Sequence, residues 1–159
     1  MIELVVVISI IGIVLLFSFP VFRNLGLFSD AQGQVGDIAR LVDDLKKRAK
    51  DKNMDFVLHM DSGSGRLWVT NETMDEEAEQ AVKEKGVLLS DGIEILDVEF
   101  PGFKESGARE YLIRFSRQGY CDFALIHMNA GEKAVTLKIE PFLSRVQVLD
   151  THVYLEDCI

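Results

Sequence analysis

An uncharged apolar run near the start of the chain constrains its fold more than any other feature. Leu4 to Phe22 contains 19 consecutive residues without a charged side chain. A helix of that length spans roughly 28 Å, close to the bilayer hydrocarbon thickness of about 30 Å. Only Ser9 and Ser18 bring hydroxyl groups into the run, so the polar stripe of a core helix is missing. We therefore predict a transmembrane helix over residues 1–25.

The run differs from a cleaved secretory signal. Such a signal has a basic segment before a shorter apolar stretch, and small residues at its cleavage site. No Lys or Arg precedes this run, and no Ala-x-Ala pattern follows it. The sequence therefore favours a retained membrane helix over a removed signal.

Three residues in or beside the run are unusual for a plain membrane anchor. Glu3 places a carboxylate at the membrane boundary, where a charge costs free energy unless it is paired or near water. Gly12 weakens the helix, and Pro20 removes one intrahelical hydrogen bond. A membrane helix tolerates Gly12 and Pro20 if its neighbours satisfy the freed carbonyls. Glu3 is either an incidental residue at headgroup level or a carboxylate that pairs with a positive group of another subunit.

The combination of Glu3, Gly12 and Pro20 at this spacing resembles the N-terminal helix of type IV pilins and type II secretion pseudopilins. Ile2-Glu3-Leu4 matches the last three residues of the family's opening motif, which is a Phe, a small residue and Leu-Ile-Glu-Leu. The resemblance implies that Glu3 pairs with the N-terminal amine of a neighbouring subunit and sets the register of a helical filament. It also implies that the stretch from Gly12 to Pro20 loses helicity in that filament.

The same resemblance implies a location and a set of partners. The location is the bacterial inner membrane, crossed once, with the head in the periplasm. The partners are other pilin-like subunits, an inner-membrane assembly platform, the lipid bilayer and a prepilin peptidase that acts with N-terminal methylation. The chain departs from the family at its start, because it has no basic leader and only two residues before Glu3. We expect the leader and the cleavage site to lie upstream of Met1.

The remaining sequence predicts a second helical half and a β-rich head. Between Ser29 and Asn53, apolar residues recur at spacings of three and four, which is one stripe of a helix; they are Val35, Ile38, Leu41, Val42, Leu45 and Ala49. We assign residues 26–54 to this amphipathic half and residues 55–159 to the head.

Short alternating segments divide the head into candidate strands. They are separated by turn signals at Asp61–Gly65, Asp91-Gly92, Pro101-Gly102, Gln118-Gly119 and Asn129–Gly131, a pattern typical of antiparallel sheets. Asn71 to Lys85 reads as a loop or a short exposed helix. The predicted fold class is α+β, with a long N-terminal helix packed on an antiparallel head of two sheets.

Two short motifs in the head are similar to the GspH/FimT subgroup of minor pseudopilins and pilins. The segments are Ile113–Gly119 and Leu143–Val148. The subgroup often has an aromatic-x-x-x-Gly turn, matched by Phe115 and Gly119, and a late Gly-Arg-Val, in which Ser144 replaces the Gly here. The resemblance implies a structural minor subunit of a type II secretion pseudopilus. The alternatives are a minor pilin of a type IV pilus, for assembly priming or DNA uptake, and a bitopic anchor with an unrelated head.

The residues predict no catalytic, cofactor or metal site. His59, His127 and His152 lack metal-ligand spacing, and the two Cys do not form a Cys-x-x-Cys pair. We therefore expect a protein that is not an enzyme and carries no cofactor. Cys121 and Cys158 could form a disulfide outside the cytoplasm, with two separate thiols as the alternative.

The charge balance disfavours nucleic acid as a partner. The chain has 26 acidic residues against 17 Lys and Arg, a formal net charge of −9. Binding to phosphates needs clustered basic side chains. Local basic patches are possible around Arg109, Arg114 and Arg117. The charge balance nevertheless makes DNA an unlikely partner.

Overall fold

The structure is a computed structural model that describes residues 31–102 and 108–158. This part of the chain contains helices and short strands. The elements in chain order are helix α1 (Ala31–Lys52), β1 (Phe56–Asp61), β2 (Arg66–Asn71), α2 (Glu76–Glu84), β3 (Val87–Leu88), β4 (Ile93–Glu99), β5 (Glu110–Phe115), β6 (Ala124–Ala130), β7 (Lys133–Ile139), β8 (Gln147–Leu149) and a 3₁₀ turn (Leu155–Cys158).

Helix α1 has the apolar stripe that the sequence predicts. All six stripe residues are buried: Val35, Ile38, Leu41, Val42, Leu45 and Ala49. Burying one such side chain contributes about 1.5–3 kcal/mol when the residue is Val, Leu or Ile. The helix ends because Asn53 adopts a left-handed conformation with φ of 49°. Met54 N then donates to Ala49 O over 3.1 Å, which satisfies a carbonyl at the helix end.

Two antiparallel sheets of four strands form the head. The first has the strand order β3-β2-β1-β5, and the second has the order β4-β6-β7-β8. On β5 burial alternates strictly, so Tyr111, Ile113 and Phe115 face the interior. One hydrophobic cluster joins these side chains with Leu45 of α1 and Ile126 of β6. The core therefore lies where α1 meets the inner faces of both sheets.

The hairpin between β1 and β2 is confirmed. Phe56 pairs with Asn71 at the open end of the hairpin. At the turn, Asp61 Oδ1 accepts hydrogen bonds from the backbone N–H groups of Gly63 (2.9 Å) and Ser64 (3.3 Å). This side-chain mimic of a backbone turn is a reason why Asp begins such loops.

The sequence pattern of the head predicts one strand over Cys121–Met128, which begins too early. Strand β6 starts at Ala124, and Cys121 makes only a single backbone bridge to Phe115. The chain is still leaving the turn after β5 at this point, so Cys121 belongs to the crossing between the two sheets. Cys121 is buried in the core although it lies outside the strand.

The stretch from Asn71 to Lys85, predicted as a loop or short helix, contains helix α2. Asp75 is its N-cap, and its side chain accepts a hydrogen bond from Ala78 N over 2.9 Å. Three glutamates occupy the first turn, where the helix dipole favours negative charge. Helix α2 packs on β2 of the first sheet.

The predicted α+β class and the two antiparallel sheets are confirmed. The predicted transmembrane helix over residues 1–25 lies outside the described residues. Within residues 31–102 and 108–158, no helix has both the length and the apolar character needed to cross a membrane.

Candidate functional site

The three residues predicted to direct assembly, Glu3, Gly12 and Pro20, lie outside the described residues. Their roles therefore stay predictions. The structure does place the two head motifs, which are separated in sequence and meet on one side of α1.

The two motifs line a common cleft of about 530 Å³ at the C-terminal turns of α1. The turn after β5 contributes Gly119, and the loop between β7 and β8 contributes the beginning of the second motif. The full lining is Asp43, Asp44, Lys46, Lys47, Lys50, Gly119, Phe142, Leu143, Ser144 and Arg145. We call this site the motif cleft.

Two side chains of α1 hold the loop between β7 and β8 in place. Lys46 Nζ donates to Glu140 O over 3.0 Å and to Leu143 O over 2.9 Å. Asp43 Oδ1 accepts from Val146 N over 2.9 Å. Residues three apart lie on the same side of a helix, so Asp43 and Lys46 act on the two ends of one loop.

This loop presents apolar groups to solvent. Phe142 is 87% exposed and Leu143 is 45% exposed. Because α1 already fixes the loop, little binding free energy is lost to ordering the loop when a partner covers Phe142. Exposed aromatic side chains of this kind are typical of interface hot spots.

The charges of the motif cleft are mostly positive. Its two carboxylates are engaged: Asp43 binds Val146 N, and Asp44 pairs with Arg48. Its exposed cations Lys47, Lys50 and Arg145 have no carboxylate partner within the described part of the chain. The cleft is therefore a positive site on a chain of net charge −9.

Gly119 has a geometric reason to end the first motif. Its φ is 90°, a left-handed value that glycine adopts without steric cost. Gly119 N donates to Ser116 O over 2.9 Å, and Ser116 N donates to Tyr120 O over 2.8 Å. Phe115 is buried in the core at the start of this turn. The aromatic-x-x-x-Gly pattern thus anchors a tight turn beside Lys50 of α1, as predicted.

Cys121 lies just behind the motif cleft as a buried, free thiol. Its Sγ donates to Glu140 O over 3.7 Å, and burial raises the pKa of the thiol. The side chain of Cys158 lies outside the described residues. The Cys121–Cys158 disulfide therefore stays a prediction.

The arginines considered as a basic patch are divided among different partners. Arg117 pairs with Asp55 over 3.2 Å and also with Glu72, and its hydrogen bonds lower the pKa of Asp55. Arg109 Nε lies 3.8 Å from a carboxylate oxygen of Asp61. Arg114 lies on the edge strand β5.

The three histidines fall into two settings. His59 on the first sheet stacks on Trp68 and contacts Glu110 and Thr70. His127 and His152 come together on the second sheet with ring centroids 3.9 Å apart. Spacing along the sequence did not reveal this pair, because it depends on the path of the chain after β8. Among the described side chains, no three potential ligands are grouped so as to hold a metal ion.

A helix packed on two four-stranded antiparallel sheets is a pilin-like head. A structure of the minor pseudopilin EpsH from the type 2 secretion system of Vibrio cholerae shares this fold, with a TM-score of 0.53 and 12% identity. The match covers 77% of this chain and 98% of that chain.

A crystal structure of the same pseudopilin matches with a TM-score of 0.50 and 13% identity, over 78% of this chain and 93% of that chain. No protein-family model and no curated protein matches the chain. The predicted likeness to the minor pseudopilins is confirmed at the level of the fold.

Proposed function

We propose that this chain is a structural minor pseudopilin of a type II secretion pseudopilus, and that it supports protein export across the outer membrane. The observation that carries the proposal is the fold shared with EpsH, a minor pseudopilin of the type 2 secretion system. The apolar run ahead of α1 supports it, because filament assembly needs an apolar helix outside the head. The work of the protein is then assembly rather than catalysis.

In this proposal, residues 1–25 anchor the chain in the bacterial inner membrane with a single pass, and the head lies in the periplasm. The same residues enter the filament core when the subunit is assembled. Glu3 sets the register, and the stretch from Gly12 to Pro20 is where the helix loosens. Helix α1 is buried in the head along its stripe, so a movement of the helix also moves the head.

The proposed partners are other pilin-like subunits, the inner-membrane assembly platform and a prepilin peptidase acting on an upstream leader. We assign the motif cleft to contact with a neighbouring subunit. Its exposed Phe142 and its unpaired cations favour a surface that offers carboxylates around an apolar recess. Complementary charge of this kind fixes register and steers association more than it adds affinity.

Replacing Glu3 tests the proposal. We expect Glu3→Ala in the full chain to abolish recovery in a sheared pseudopilus fraction and to leave recovery in the inner-membrane fraction unchanged. The carboxylate is needed for pairing with a neighbour's amine, while the apolar run alone is enough for membrane insertion.

The matched control is Glu94→Ala, which removes an exposed carboxylate from β4 of the head and should assemble normally. Equal assembly of the Glu3→Ala chain and the unmodified chain would contradict the proposal. The chain would then be an anchored domain whose Glu3 is incidental.

A further inference from the structure

The outer face of the second sheet is covered, although the core lies on its other side. Ile126 and Met128 belong to the core cluster, and neighbouring residues of a strand point to opposite faces. Leu125 and His127 therefore face outward, yet both are fully buried, as is Thr136 on β7. The segment that follows β8 provides the cover, and we call residues 151–155 the C-terminal strap.

Polar contacts hold the strap on the sheet. Thr136 Oγ1 donates to Thr151 O over 2.7 Å and accepts from Val153 N over 3.3 Å. Farther along, Glu99 Oε2 on β4 accepts from Leu155 N over 3.0 Å. The strap thus crosses the sheet from β7 to β4, and its backbone groups report directly on whether it is seated.

The centre of the contact is a stack of two imidazole rings. The rings of His127 and His152 lie 3.9 Å apart at an interplanar angle of 20°. Tyr154 of the strap also contacts His152, with ring centroids 4.7 Å apart. Two neutral imidazoles can stack in this way, whereas two imidazolium ions repel each other.

Hydrogen bonding fixes the tautomer that His127 adopts when its ring is neutral. Thr136 Oγ1 uses its proton on Thr151 O, so at 3.2 Å the His127 Nδ1 must be the donor to that oxygen. His127 Nε2 then carries a lone pair. It has no hydrogen-bond partner in the described residues and lies 3.9 Å from Asp97 Oδ1, which has none either.

A proton on His127 places a positive charge in a fully buried site against the ring of His152, so protonation acts against the seated strap. We propose that the C-terminal strap is a pH-controlled cover of the second sheet, seated while His127 is neutral and released when His127 takes up a proton. The groups that face His127 are Asp97 and Glu99 from β4 and His152 from the strap. The two carboxylates favour the charged ring, while burial and His152 disfavour it.

The sign of the pH dependence follows from this balance. Burial is the largest cause and His152 the second, and together they lower the pKa of His127 below its ordinary value. In the released state the ring is in water and its pKa returns to about 6.5. The released state then binds more protons between these two values, so release increases as the pH falls below about 6.5 and levels off below the lowered pKa.

Hydrogen exchange on the full chain in detergent micelles tests the proposal. We expect the protection factors of the Val153 and Leu155 amides, each corrected for the intrinsic exchange rate, to be lower at pH 5 than at pH 8. His127→Phe keeps an aromatic ring but cannot titrate, so its strap protection should not change with pH. The matched control His59→Phe, on the first sheet, should retain the wild-type pH dependence.

Two outcomes would overturn the proposal: strap protection that is constant with pH in the unmodified chain, or an undiminished pH dependence in His127→Phe. Protection of Ile113 in the core shows whether each variant folds. If His127→Phe does not fold, the Asp97→Asn chain is measured in its place. The side-chain amide that Asp97→Asn introduces can donate a hydrogen bond to neutral His127 Nε2, so protection of the Val153 and Leu155 amides at pH 8 should rise. The loss of this protection at pH 5 should also become larger. Protection that depends on pH as in the unmodified chain would contradict the proposal.

Discussion

At the scale of single residues, Lys46 shows how one side chain organises the motif cleft. Its ammonium group donates to Glu140 O and Leu143 O, and Glu140 O also accepts from Cys121 Sγ. Lys46 lies outside the apolar stripe that the sequence predicts for α1, so its place on a polar side of the helix follows from that stripe. The stripe gives no indication of the two carbonyl acceptors, because they lie more than 90 residues away along the chain.

Removing this ammonium group should therefore destabilise the head. We expect Lys46→Met to lower the free energy of unfolding by about 1.5–3 kcal/mol, the range for hydrogen bonds to a charged group. The apolar stem is kept, so the loss reports on the two hydrogen bonds. Urea unfolding of the full chain in detergent measures it.

Lys47→Met is the matched control, because Lys47 is exposed and has no ion pair in the described residues. It should change the free energy of unfolding by no more than about 0.5 kcal/mol. Equal effects of the two substitutions would mean that Lys46 does not hold the loop.

At the scale of elements, the sequence correctly predicted those structures that depend on residues close together in the chain. The stripe of α1, the β1–β2 hairpin and the turn at Gly119 each depend on residues a few positions apart, and each is confirmed. The cover of the second sheet was not predicted. It depends on a stack between His127 and His152, and no period of a helix or strand connects these two residues.

Helix α2 is an element whose formation should depend on its cap. Asp75→Ala removes the acceptor for Ala78 N, a change that typically costs about 0.5–2 kcal/mol. Lys83 at the other end of α2 lies over the ring of Trp68, 4.7 Å from its centroid. Trp68 is the one tryptophan of the chain and is buried, so its fluorescence reports on α2.

We expect the emission of Trp68 in the Asp75→Ala chain to shift to longer wavelength at a lower urea concentration than in the unmodified chain. Asp91→Ala, in an exposed turn between β3 and β4, is the control and should leave the transition in place. If both variants behave like the unmodified chain, α2 does not depend on its cap.

At the scale of the whole molecule, the chain has a negative net charge, but the motif cleft on its head is positively charged. Acidic residues exceed basic ones by 26 to 17, yet the motif cleft collects cations that have no partner in the described part of the chain. Composition predicted the overall charge and the weak case for nucleic acid. It could not predict the cleft, which forms only when α1, the turn after β5 and the β7–β8 loop meet.

The positive cleft gives the proposed subunit contact a charge signature. We expect Lys47→Glu combined with Lys50→Glu to reduce crosslinking of the head to neighbouring subunits by about tenfold. Each exposed ion pair contributes about 0.2–1 kcal/mol, and reversal adds repulsion of similar size. The contact should also weaken at high salt, since surface charges are screened.

Lys133→Glu combined with Arg114→Glu is the matched control, because it changes the net charge equally at two exposed positions away from the cleft. Membrane insertion should be unchanged in both double variants, since residues 1–25 are intact. If the two pairs reduce crosslinking equally, only overall charge matters. If neither double substitution reduces crosslinking, neighbouring subunits contact the head outside the motif cleft. The exposure of Phe142 then has another explanation.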